Sequence, residues 1–183
     1  MCITRKNKRI YLNQTAYLSK VLQCFGMTNA HSTVTPLPSD YSPVTNSAPE
    51  DPNIYHKFQQ LIDSPLYIML GTWPNITYAV TKLSQFAANP SQDHLNKVMY
   101  ILHYLVGTSN YALVYDGING KGFEAYADSD WASNSATLKY STGYLINLAS
   151  SVFSWNSRVQ KTIALSSTEA KYMALSDTSC QIF

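Results

Sequence analysis

The sequence predicts an α/β (α+β) chain: a helical region followed by a partial mixed sheet with one helix. Three observations carry that prediction. Over 15–25, and again between about 54 and 107, apolar side chains recur every three or four positions, as they do along helices. Between 111 and 157 they alternate with polar ones, as they do along strands. At Ser166 a helix opens with Ser166, Ser167, Thr168 and Glu169, where a serine and a glutamate three apart match a capping box. The change of period divides the chain into 1–110, with a loop over 27–51, and 111–183.

Residues 1–13 read as two short strands about the charged turn Lys6, Asn7, Lys8. A helix over 15–25 follows from Ala16, Leu18, Val21, Leu22 and Phe25, and Gly26 closes it. From 27 to 51 Ser, Thr, Pro and Asn dominate without periodicity, which predicts a mobile loop or extended connector. Three helices come next. The first, over about 54–70, is apolar at Phe58, Leu61, Ile62, Leu66 and Met69, with Pro65 expected to bend or break it. The second opens at Pro74 and runs to Phe86, with Ile76, Ala79, Val80 and Leu83 on one side. The third takes Asn89 as its N-cap, Pro90 at N1 and Gln92 at N3, and carries Leu95, Val98, Met99, Leu102 and Leu105 before Gly107. Strands are expected over 111–116, from 123, over 143–148 and over 152–157.

Composition narrows the classes. With 183 residues and 45% hydrophobic residues the chain can bury a core, and a net charge of +2 gives little overall attraction to nucleic acid. Arg5, Lys6, Lys8 and Arg9 form a local basic cluster, read either as a solvated hairpin turn or as a phosphate contact. Cys2, Cys24 and Cys180 are odd in number and form no paired spacing, which fits a reducing compartment and no zinc site. No apolar run has the length of a signal peptide or a membrane span, so the expectation is a soluble, intracellular protein of cytoplasm or nucleus, without a membrane partner. The histidines have no metal-ligand spacing, and no Gly-rich phosphate loop or nucleophile elbow is present.

One pair of acids remains. Asp128 and Asp130 stand two apart near a strand end, so both side chains share a face, where they could hold a divalent metal or form a solvated turn. Around them, DSDWAS, STGYLINL, FSWNSRVQKT and ALSSTEAKYMALS closely resemble the RNase H region of copia-type retrotransposon Pol polyproteins. Upstream, YLNQTAYLSKVLQCFGM, SPLYIMLGTWPNITYAVTKLSQFAANPS and VMYILHYLVGT resemble the stretch between the reverse transcriptase core and that RNase H. The resemblance therefore implies a reverse transcriptase C-terminal, thumb- or connection-like region over 1–110 and a truncated RNase H-like domain over 111–183.

It also implies what the chemistry would need. Intact family members hydrolyse RNA in RNA/DNA hybrids with Mg2+ or Mn2+ held by several carboxylates. Asp128 matches the first acid, with Asp130 beside it as a weaker metal candidate, and a glutamate is expected where this chain has Lys171. Glu169 cannot take that place, because residues two apart on a helix point about 200° apart, and the capping box already employs it. A further aspartate belongs to a later strand, beyond Phe183, and the polymerase Tyr-x-Asp-Asp signature does not occur. As given, then, the chain is expected to hold no cofactor and to be a catalytically inactive fragment. The alternative is a residual or co-opted module that binds RNA/DNA hybrid, or another nucleic acid, without cleaving it. An incomplete sheet would also leave an open edge through which copies could associate.

Four positions depart from the family pattern in one direction. Asp63, Trp73, Asn75 and Lys171 stand where glycine, arginine, aspartate and glutamate are expected. Each change can arise from a single C-to-T or G-to-A transition, which suggests a decaying element copy. Codons requiring other changes relative to related copies would refute that origin.

Overall fold

A computed structural model describes residues 1–134, 139–160 and 162–182, with backbone alone at 130–134 and 139. It divides into two compact units, Met1–Thr4 with Tyr11–Leu113, and Arg5–Ile10 with Val114–Phe183. The mixed α/β class expected from the sequence is observed, with helices and two three-stranded sheets.

Strands β1 (Cys2–Lys6) and β2 (Arg9–Asn13) flank Asn7 and Lys8, whose φ angles of 52° and 59° make the two-residue turn that matches strand twist. Together with β3 (Leu113–Asp116) they form one sheet in the order β1-β2-β3. Helix α1 (Thr15–Cys24) ends as expected at Gly26. There φ is +67°, Gly26 N–H donates to the Gln23 carbonyl at 3.1 Å, and Met27 N–H donates to that of Leu22 at 2.7 Å. This pair of bonds satisfies carbonyls the helix would otherwise leave open, and buried Met27 completes the motif.

The connector has no regular structure, yet it lies fastened to the helices. Met27 and Leu37 are buried, and Ala30 and Tyr41 pack against the core. Helix α2 (Pro52–Gly71) starts at Asp51, whose carboxylate accepts from Asn53 N–H at 2.9 Å. It runs unbroken through Pro65, which is buried, so packing of the apolar stripe outweighs the lost backbone bond. Pro74–Ile76 form a 3₁₀ turn leading into α3 (Thr77–Ser84). Helix α4 (Gln92–Gly107) does not start at Asn89. Its N-cap is Ser91, whose Oγ accepts from His94 N–H at 3.3 Å while the His94 ring accepts from Ser91 N–H at 3.0 Å. Asn89 is instead paired with the connector, its amide donating to the carbonyls of Asn46 and Ala48. The core of this unit joins Leu18, Phe58, Ile62, Trp73, Ile76, Leu83, Ile101 and Leu105, all fully buried.

The second sheet has the order β4-β5-β6, formed by β4 (Glu124–Asn134), β5 (Lys139–Leu148) and β6 (Ser151–Val159). Both pairings are antiparallel, and a parallel strand that would make the sheet mixed is not among these three. Ala149 and Ser150, with φ of 52° and 63°, close the β5–β6 hairpin. Helix α5 (Ser167–Cys180) follows, with Ser166 as its N-cap. Buried Tyr140, Ala164 and Ala170, with Met173 against them, form a small core beneath it. Among the described residues no helix is long and apolar enough to cross a membrane. Cys2, Cys24 and Cys180 are free and exposed.

Candidate functional site

The strand–strand–strand–helix order of the second unit puts Asp128 on β4 and position 171 on α5, and the register decides whether they converge. Asp128 pairs with Gly143, and Ser129 with Thr142. Directly opposed residues share a face of a sheet, and successive ones alternate. The face of Thr142 carries α5. Gln160, 5% exposed, donates from Nε2 to Thr142 Oγ1 at 2.7 Å and to the Ala170 carbonyl on α5 at 3.1 Å. Arg158 pairs with Asp177 of α5 at 2.7 Å and stands opposite Thr142 on β6. Asp128, next to Ser129, therefore projects from the other face.

Its carboxylate is exposed, and Oδ1 accepts from the adjacent Ser129 N–H at 2.8 Å, a bond made within its own turn of backbone. The side chain of Asp130 lies outside the described residues. Lys171 is exposed, because α5 buries Ala170, Ala174 and Thr178 instead. Among the described residues no ion pair joins Asp128 to Lys171, and no group of three His, Cys, Asp or Glu could hold a metal. Glu169 serves the helix start, but only half of the expected capping box forms: its N–H donates to Ser166 Oγ at 3.1 Å, while its Oε2 accepts from Leu165 N–H at 2.7 Å in place of Ser166 N–H. That arrangement can organise a helix start. It offers no carboxylate cage to a divalent cation.

The basic cluster sits at the β1–β2 turn, and its members differ in availability. Arg5, Lys6 and Lys8 are exposed. Arg9 is committed to Asp116, with Nε and Nη2 donating to Oδ2 at 3.1 and 2.9 Å. The backbone N–H of Ile118 and the Arg9 guanidinium, in that order, hold the Asp116 carboxyl below its usual range, with Asn119 N–H adding to them. Three side chains of the four are thus free to meet a phosphate.

The departures from the family pattern also fall in distinct places. Asp63 is exposed on α2. Trp73 is 1% exposed, with its indole N–H donating to Thr108 Oγ1 at 3.4 Å. The Asn75 amide donates to the Tyr104 hydroxyl. Sequence reasoning missed two positions that organise the structure. His94 occupies the glutamate position of a capping box, and Ser91 three residues before it was the available signal. Gln160 ties β5 to α5, and nothing local announces it.

Comparison with known proteins assigns the ancestry. The chain is 35% identical over 179 residues to the retrovirus-related Pol polyprotein from transposon TNT 1-94 of Nicotiana tabacum, covering 95% of this chain and 13% of that polyprotein. It is 34% identical over 175 residues to the corresponding polyprotein from transposon RE1 of Arabidopsis thaliana, covering 94% and 12%. An uncharacterized mitochondrial protein of Arabidopsis thaliana is 30% identical over 174 residues, covering 94% of this chain and 71% of that protein. The chain thus spans about an eighth of the length of the two polyproteins. No protein-family model matches it, and no solved structure does. Identity of 30–35% sustained over nearly the whole chain shows that it belongs to the copia-type retrotransposon Pol polyprotein family.

Proposed function

We propose that the chain is the part of such a polyprotein that joins the C-terminal, thumb- or connection-like region of the reverse transcriptase to the start of the RNase H-like domain, and that it does not cleave RNA/DNA hybrid. The order of a helical unit followed by three antiparallel strands and a capped helix supports the first half. Lys171 carries the second. A lysine stands where the family pattern has a carboxylate, and Asp128 projects from the sheet face opposite α5, so these two positions offer a divalent metal one carboxylate in place of a cluster. Asp128, a remnant first acid bonded to its own neighbour, does not make up for it. The residues present do not fit a pair of Mg2+ or Mn2+ ions, and no step is assigned to them.

The test is hydrolysis of a labelled RNA/DNA hybrid in Mg2+ or Mn2+ by the purified chain, by Lys171→Glu, and by Lys171→Glu lengthened beyond Phe183. Only the lengthened variant is expected to cleave. Metal-dependent cleavage by the unaltered chain that disappears in Asp128→Asn would overturn the proposal.

A second reading has its own observation. The exposed Arg5, Lys6 and Lys8 on a tight turn can meet a nucleic-acid backbone without any catalysis. Filter binding across salt concentration tests it. Affinity that falls with salt, with a shallower slope once these three become alanine, supports hybrid binding, and no affinity above background removes it.

A further inference from the structure

We infer that His94 makes the seating of connector residues 41–48 on the start of α4 acid-sensitive, so that protonation of its ring loosens that segment and the first turn of the helix together. The ring is 1% exposed and stacks on Phe86 with centroids 4.2 Å apart and planes at 19°. Its Nδ1 accepts from Ser91 N–H at 3.0 Å, which requires the neutral tautomer with hydrogen on Nε2. Adding a proton at Nδ1 sets donor against donor at the N-cap and places a positive charge at the positive end of the helix dipole. Nε2 is buried without a hydrogen-bond partner of ordinary geometry among the described residues, so Asp93 and the Val44 backbone offset only part of the cost of burying the charge.

The connector is fastened at the same place. Tyr41 hydroxyl donates to Asp93 Oδ2 at 3.0 Å, and the Lys97 ammonium lies 4.9 Å from the Tyr41 ring centroid. Asn46 donates to Asn89 Oδ1 at 3.2 Å and to the Pro90 carbonyl at 3.3 Å. These contacts surround residues 89–97, so disturbing the helix start disturbs what is docked on it. The groups bearing on the ring are Asp93 on its own helix, the Val44 backbone on the connector and the uncharged Phe86 after α3 (Thr77–Ser84), while Tyr41 and Lys97 bear on Asp93 and on each other. Burial is the largest influence and lowers the pKa of His94 below its ordinary 6.5, with Asp93 and the Val44 backbone pulling the other way. Tyr41 is pushed well above its usual range, by burial first and by Asp93 second, and stays a neutral donor.

The direction of the pH effect follows. A depressed folded pKa means that the unfolded or opened form binds more protons, so the stabilisation is present above pH 6.5 and is lost as pH falls. If only the opened form titrates between pH 7.5 and 5.5, protection falls by up to about tenfold over that interval. The second histidine on α4 supplies a control. Nδ1 of His103 lies 2.6 Å from the His31 carbonyl, a contact that a protonated ring keeps.

The experiment is hydrogen–deuterium exchange of the full chain at the two pH values, corrected for intrinsic rates. In the unaltered chain and in His103→Gln, residues 41–48 and 91–95 should lose protection on acidification. In His94→Gln, whose side-chain oxygen can accept from Ser91 N–H, the loss should vanish. An unchanged pH effect in His94→Gln, or none in the unaltered chain, overturns the inference. Should His94→Gln fail to fold, ring titration by NMR of the unaltered chain decides: a His94 midpoint at or above 6.5 overturns it, and one below sustains it.

Discussion

Arginine placed at position 73 should strongly destabilise the helical unit, although arginine is what the family pattern has there. Trp73 is 1% exposed and, among the described residues, is the largest of the fully buried side chains. A buried tryptophan removes about 200 Å² from water, which at about 25 cal/mol/Å² is about 5 kcal/mol, an upper bound because the unfolded chain is not fully extended. Trp73→Arg loses most of that and must also accommodate a guanidinium among Phe58, Ile76 and Leu105 or push it to the surface. The expected loss is about 4 kcal/mol, within the range for truncating buried aromatic residues and a large share of a domain's usual 5–15. Trp73→Phe keeps most of the packing and loses the bond to Thr108, so about 1–2 kcal/mol is expected. Urea unfolding followed by far-UV circular dichroism measures both. Burial itself can be checked by mutating Trp131 and Trp155 to Phe, which leaves Trp73 as the sole tryptophan, excited at the red edge where tyrosine does not absorb. Its emission should be blue-shifted and shielded from acrylamide. A Trp73→Arg chain within about 1 kcal/mol of the original, or a Trp73 quenched like free indole, would refute the packing argument.

Two further variants probe the rest of the framework. Gln160→Ala removes the amide that ties the Thr142 hydroxyl to the Ala170 carbonyl and leaves a buried gap there, and should cost about 1–3 kcal/mol in thermal or urea unfolding of the sheet unit. Gly26→Ala meets open space but forces a side chain to φ of +67°, so about 1 kcal/mol should be lost, visible as a lower midpoint with an unchanged denaturant slope.

Elements encoded by neighbours in sequence were legible in advance. The Asn7–Lys8 hairpin turn, the Gly26 stop of α1 and the Ser166 start of α5 each depend on residues within a few positions. Where two local signals competed, the wrong one was favoured. Asn89 with Pro90 looked like a helix start, but a histidine can accept a backbone N–H as glutamate does, so Ser91 with His94 prevails and Asn89 is left to bond the connector. Pro65 lies within one continuous helix because its ring is buried, and burial is settled by tertiary packing rather than by the local sequence. The docking of the connector was illegible for the same reason. For the candidate site, the identity of Asp128 and Lys171 could be read directly, while the faces they occupy depend on the pairing of Asp128 with Gly143 and on the Gln160 amide that ties β5 to α5.

The three surface thiols bear on how any of these measurements is prepared. An odd set cannot be satisfied within one molecule, and thiolate on an accessible cysteine exchanges readily with oxidised partners. In aerated buffer the chain should therefore accumulate covalent dimers linked through Cys2, Cys24 or Cys180, which run at twice the monomer mass on gels without reductant and collapse when it is added. Assembly states of this protein carry meaning only when recorded with the sulfurs kept reduced or replaced by serine.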